Sequence, residues 1–310
     1  MSHKFLNVMN ILSFLFAAGF FTNQPVYVAM IVGGCTAIVS GVVGVFTVIR
    51  GHAFAGHALA DVSSAGGSAS FLLGINPLLG FVIMAVLGAA GIELIGVQRA
   101  RERSLATGIV LSAGLGLSAL FLYFDMTTHS TTGAAITVMF GSIWTISPSI
   151  LPLAIGIGIS VMLITGLLYR PWLLSSVNPE LAKVQGINIR FVSLLHSLAL
   201  ALAVALSAMT VGAILSTALL VGPSAIALQL SKRPGRTILI AVLIGLATVW
   251  AGIVLAYDSF YWTPGHGWPV SFFIVMLIFI LYIAIVHLPC RFSRQAGRPE
   301  YTDIKDIREG

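Results

Sequence analysis

The run PVYVAMIVGGCTAIVSGVVGVFTVI, residues 25–49, contains no charged side chain and stops at Arg50. Coiled into a helix at about 1.5 Å per residue, it is long enough to cross the ~30 Å hydrocarbon core of a bilayer. The run is continuously apolar, with no alternation of apolar and polar positions. A membrane β-barrel would show segments of about ten alternating residues, so helix is the predicted form. A helix also satisfies every backbone N–H and C=O within its own segment, as lipid demands.

The rest of the chain repeats this pattern. Of its 310 residues, 58% are apolar and 8% are Asp, Glu, Lys or Arg. A water-soluble domain carries about 25% charged residues, so this chain cannot cover itself with charge and must be covered by lipid. Further crossings are expected at Gly51–Leu73, Leu78–Val97, Leu105–Phe124, Ser149–Tyr169, Phe191–Met209, Val211–Leu230, Thr237–Tyr257 and Val270–His287. The predicted fold class is therefore all-α, a polytopic transmembrane helical bundle of about nine crossings (eight to ten). Residues 1–25 form an N-terminal segment, in which Phe5–Phe21 is either a surface helix or an extra crossing. Residues 26–288 form the membrane domain, and residues 289–310 form a polar tail too short to fold alone. Cys35 and Cys290 lie far apart, in no metal-binding spacing, and read as reduced bystanders.

Alternating the nine crossings puts Arg50, Arg99, Arg101, Arg103, Arg170, Lys183, Arg190, Lys232, Arg233, Arg236 and the basic tail on one side. Asp125, His129, Asp258 and His266 fall in loops on the other side, where they could attract cations. Basic residues stay in the cytoplasm, so the C-terminus is expected to be cytoplasmic. The net charge of +6 then reflects topology and gives no reason to expect nucleic acid as a partner. Trp262 and Trp268 read as interfacial aromatics.

The second crossing breaks the apolar pattern with His52, His57, Asp61 and a series of serines and glycines. Ionisable groups at membrane depth face a bundle interior or a water-filled path, so this helix should be central. Its small residues allow neighbours to approach closely. His57 and Asp61 are four apart and share a helix face. An imidazole and a carboxylate there suit a divalent transition metal, or simply hydrogen-bond each other at a helix contact. His52 lies about 140° round from His57 on a straight helix. Glu93, in the third crossing, either lines the same path or closes a polar contact. His196, in the sixth, reads as a packing histidine. The connector from Ser176 to Ile187 contains Asn178 as an N-cap, Pro179 at the first helical position and Gly186 at the C-terminal end, which predicts a short helix. There is no GxxxxGK[ST] loop, GxSxG or HExxH, which leaves the chain without a nucleotide site of that type or a hydrolase signature.

Three stretches carry a family resemblance. They are Arg50-Gly-His-Ala-Phe-Ala-Gly-His-Ala-Leu-Ala-Asp61 running on to Pro77, Phe140-Gly-Ser-Ile-Trp-Thr-Ile-Ser147, and Val211-Gly-Ala-Ile-Leu-Ser-Thr-Ala-Leu-Leu-Val-Gly-Pro223 running on to Ala227. They resemble the permease subunits of ABC importers for zinc, manganese and iron. In that family the second crossing opens with Gly-Asp-x-x-x-His-Ala. Aligned from Gly51, this chain has His52 in place of the Asp, and its His-Ala falls one residue late at His57-Ala58.

The resemblance implies a homodimer of permease subunits in a bacterial cell membrane, a cytoplasmic ABC ATPase and an extracytoplasmic metal-binding protein. ATP is used through the partner, with no cofactor or ATPase site in the chain itself. The transported ion is expected to be Zn2+, with Mn2+ or Fe2+ as alternatives. His57, Asp61, His52 and Glu93 are the expected transient ligands. Asn178, Pro179, Glu180, Leu181, Ala182, Lys183, Val184, Gln185, Gly186 and Ile187 form the expected coupling helix. The competing readings are a metal-chelate permease of the siderophore or cobalamin kind and a gradient-driven secondary transporter.

Overall fold

A computed structural model describes residues 23–95, 100–128, 133–141, 143–262 and 267–287. Phe5–Phe21, His129, His266, Cys290 and the tail, for which the sequence carries expectations, lie outside these residues.

The described chain is a bundle of α-helices: α1 Gln24–Ile49, α2 Ala53–Leu73, α3 Pro77–Ile95, α4 Ala100–Thr128, α5 Ala134–Phe140, α6 Leu151–Val177, α7 Pro179–Val184, α8 Ile189–Val211, α9 Ala213–Leu230, α10 Pro234–Trp262 and α11 Val270–His287. Two 3-10 turns, Ile143–Thr145 and Pro148–Ile150, lead from α5 into α6. Among the described residues eight helices are long and apolar enough to cross a membrane. The ninth crossing is α2, whose 21 residues give it about the same reach despite its polar composition.

Helix α2 lies at the centre. It packs on α3, α4, α5, α8 and α9. Its serines spend their hydroxyls locally. Ser63 donates to the Ala60 carbonyl, and Ser64 to the Asp61 carbonyl. Ser64 and Ser68 both meet Ser118 of α4, each at 3.1 Å. Hydrogen-bonded in this way, the hydroxyls are tolerable out of water. The α2–α3 crossing is closer than a Cβ permits. A methyl built on Gly66 would fall 1.9 Å from the Gly80 carbonyl oxygen.

A second close approach joins α5 to the α8–α9 junction. The two crossings read as nearly fused are broken by Gly212 alone, at φ 94° and ψ 155°. Gly141, which ends α5 at φ 81°, lies directly against it. A Cβ on Gly212 would lie 2.2 Å from the Met139 carbonyl oxygen, and one on Gly141 would lie 2.4 Å from that of Thr210. Both positions require glycine twice over, for dihedral and for space.

Two expectations are corrected. Asp125 and Asp258 are not in loops: α4 continues to Thr128 and α10 to Trp262, and both carboxylates are buried. These helices run well past the apolar stretch, so a charge at its edge still lies in the bundle. Trp262 and Trp268 are about half-exposed at the end of α10 and just beyond it.

Gly212→Ala is expected to destabilise the protein by at least ~1–3 kcal/mol from backbone strain alone, read as a lower thermal midpoint in detergent. Gly166→Ala on α6 is expected to stay within ~1 kcal/mol of wild type, because a Cβ there meets nothing within 4 Å.

Candidate functional site

The first turns of α2 present His57 and Asp61 on one face. His57 Nε2 lies 3.6 Å from Asp61 Oδ2, and the two side chains are 44% and 11% exposed. His57 Nδ1 is hydrogen-bonded at 3.2 Å to Thr217 Oγ1 on α9. Together they offer a half-open imidazole with a mostly buried carboxylate behind it and a hydroxyl fixing the ring. A cation arriving at the imidazole would come within reach of the carboxylate. Its charge would be balanced there, away from lipid.

The other expected ligands lie elsewhere. His52 is the residue before α2 begins, and its ring centroid is 5.6 Å from that of His196 on α8. Glu93 accepts from Ser197 at 2.5 Å and from Ser193 at 3.4 Å, both on α8. Among the described residues no three His, Cys, Asp or Glu side chains come together in a group able to hold a metal. One chain therefore offers His57 and Asp61 as a pair. Thr217 was not singled out in the sequence, since a threonine in an apolar helix carries no signal of its partner 160 residues away.

The pair also favours a different register for the family pattern. Gly56-His57-x-x-x-Asp61 has the spacing of Gly-Asp-x-x-x-His with the imidazole and carboxylate exchanged. Read from Gly56, the two polar residues fall where the pattern has its Asp and His, and His52 drops out of it. The three stretches that carry the resemblance also meet in space: α2 touches α9 through His57 and Thr217, and the α5 end touches the start of α9 through Gly141 and Gly212.

The connector after α6 folds as read. Asn178 caps α7 by accepting from the Leu181 amide at 3.0 Å. Gly186, at φ 78°, closes the other end while the Ile187 amide reaches the Ala182 carbonyl. Lys183 pairs with Glu180 at 2.9 Å on the exposed surface. Ala182 is buried, whereas Leu181 and Val184 are 46% and 84% exposed.

The base of this segment is tied to the junction of α1 and α2. Arg50 donates to Ser175 at 2.6 Å, to Ser176 at 2.9 Å and to the Trp172 carbonyl at 3.3 Å. A cation at the C-terminal end of α6 also suits the helix dipole. Trp172, fully buried, donates to the Val192 carbonyl of α8 at 3.2 Å.

Residues 23–288 match the family model described as the ABC 3 transport family. The chain belongs to that family. It is 28% identical over 243 residues to the manganese transport system membrane protein MntC of Listeria monocytogenes, covering 78% of this chain and 85% of that one. It is 28% identical over 241 residues to the high-affinity zinc uptake system membrane protein ZnuB of Haemophilus influenzae, covering 76% and 90%. The permease fold is also that of the solved structure of PsaBC from Streptococcus pneumoniae in complex with Fab. That likeness has a TM-score of 0.74 at 24% identity, over 87% of this chain and 94% of the other.

Asn178→Ala is expected to cost the short α7 helix about 1 kcal/mol, seen as faster amide hydrogen exchange across 180–184 with the rest of the permease unchanged.

Proposed function

We propose that this permease forms the membrane path of an ATP-driven importer of a divalent transition-metal ion, and that His57 and Asp61 touch the ion as it passes. The observation that carries this reading is the His57–Asp61 pair, half-open on a helix otherwise enclosed by five others. The family membership and the naming of relatives for manganese and zinc systems support it. A single imidazole–carboxylate pair offers too few donors to trap an ion, which suits a transient station.

Zinc is the ion the imidazole favours, since hard oxygen donors suit manganese better. Manganese is favoured by a different observation, the names of the relatives such as the Listeria protein. Uptake competition between the two ions decides between them.

The mechanism is alternating access. Two copies enclose the path, and an extracytoplasmic protein delivers the ion to the face away from Arg50. A cytoplasmic ATPase docks on residues 178–187, where Leu181 and Val184 offer apolar contacts. The Arg50 tie then carries movement of this segment to the foot of α2. The positive-inside pattern supports a cytoplasmic location for that side and for the C-terminus. ATP hydrolysis belongs to the partner.

In proteoliposomes containing the permease with its ATPase and binding protein, ATP-dependent zinc-65 uptake is expected in wild type. His57→Ala should lower it about 100-fold or more while the complex still assembles, since loss of one of two ligands removes several kcal/mol of ion stabilisation. Uptake that survives the substitution overturns the site, and selective uptake of an intact siderophore or cobalamin favours a chelate permease. Uptake driven by a proton gradient without ATP favours a secondary transporter. Val184→Asp is expected to reduce co-purification of the ATPase about tenfold or more by burying a charge at the contact, leaving the permease's own thermal midpoint unchanged.

A further inference from the structure

Beyond the His57–Asp61 pair, we infer that His52 and His196 form a second metal station, made of two imidazoles and placed at the cytoplasmic end of the same path. The inference rests on the reading of this chain as a metal-ion permease. It concerns residues outside the pair already described.

His196 sits in the second turn of α8 and is fully buried. It lies between Ser193 and Ser197 on α8, whose other residues are mostly Ala, Leu and Val. Its ring centroid lies 5.0 Å from that of Trp172 with the planes at 85°, and 5.6 Å from that of His52 with the planes at 44°. Two imidazoles bound to one first-row ion through nitrogens at ~2.0–2.1 Å, near a tetrahedral angle, hold their centroids ~5–6 Å apart. The observed spacing falls in that range. A tilt of 44° is also far from a parallel ring stack.

The surroundings hold the pair in place. Trp172 is pinned through its indole N–H to the Val192 carbonyl and through its own carbonyl to Arg50. It forms a rigid wall at a right angle to the His196 ring. His52, at the start of α2, is partly exposed, which gives an ion a way in from one side.

Position along the path follows from the helix. His52 precedes His57 by five residues, about 7.5 Å of rise towards the Arg50 end. Along the helix axis His52 is therefore the next imidazole inward of His57 and Asp61. The two stations differ in chemistry. The first contains a carboxylate and attracts a dication by charge. The second has two imidazoles, neutral borderline donors that suit a zinc-class ion better than a hard one. Such a site selects a borderline ion of the zinc class over harder ions, and two ligands with water completing the shell let it go quickly. Trp172 lies on α6 and His196 on α8, the two helices that flank residues 178–187. The wall and one ligand of the inner station thus sit on the arms of the segment proposed to meet the ATPase, so its movement would open or close the pair.

The test is equilibrium zinc-65 binding to the detergent-solubilised complex of permease and ATPase, with Co2+ absorption as a ligand-sensitive second readout. With His57→Ala and Asp61→Asn together, the complex is expected still to bind zinc, and its Co2+ bands should remain those of nitrogen donors. Adding His52→Gln should weaken that residual binding by about tenfold or more, the scale of losing a metal-supporting group. His196→Gln should do the same. Because His196 is buried and its substitution risks the fold, His52→Gln alone is decisive. No residual zinc binding in the His57→Ala, Asp61→Asn complex overturns the inner station. So does residual binding that His52→Gln leaves unchanged. Either result leaves the proposed function standing if wild-type ATP-dependent uptake is intact, whereas absence of wild-type uptake of any divalent ion removes the function itself.

Discussion

A carboxylate and an imidazole on a membrane-length helix have to be kept from lipid, and much of this architecture follows from that constraint. Burying Asp61 without a nearby partner would cost several kcal/mol. The helix that carries it is accordingly placed where α3, α4, α5, α8 and α9 surround it. Surrounding one helix with five is possible only if backbones come close. That explains why its sequence is rich in glycine, alanine and serine where its neighbours are rich in leucine and isoleucine. The serines fill the narrow gaps with hydrogen bonds instead of bulk, as Ser64 and Ser68 do against Ser118.

The same economy appears at the other close contact. The α5 end and the α8–α9 break meet through two left-handed glycines, so the short helix α5 is locked to the start of α9. Thr217, one turn further along α9, is then positioned to hold the His57 ring. The polar pair is thus oriented by an element whose own position is set by a backbone contact. Just before the N-terminus of α2, Arg50 and Trp172 tie α1, α6 and α8 into one foot beneath which α7 projects. Site and projecting helix are linked by packed, hydrogen-bonded groups rather than by a flexible loop.

Much of this was legible in the sequence. Crossing number, the central place of the polar helix and the capped helix after Asn178 all follow from patterns local to a segment: runs of apolar residues, small residues, and cap signals at fixed offsets. Element ends were less legible. The bundle supports α4 and α10 beyond their apolar stretches, so Asp125 and Asp258 are helical and buried although a linear reading places them in loops. Helix α5 carried no distinct signal because seven residues are too few to show a period.

For the site, the sequence by itself determined that His57 and Asp61 share a face, because helical spacing is a property of the chain alone. Only the tertiary structure decided which of the four ionisable candidates meet. It paired His57 with Thr217, turned His52 towards His196 and gave Glu93 to Ser193 and Ser197. The physical reason is that those meetings depend on how helices far apart in sequence rotate and slide against one another. Their rotation is set by glycine contacts and hydroxyl hydrogen bonds summed over the whole bundle, which no single segment contains.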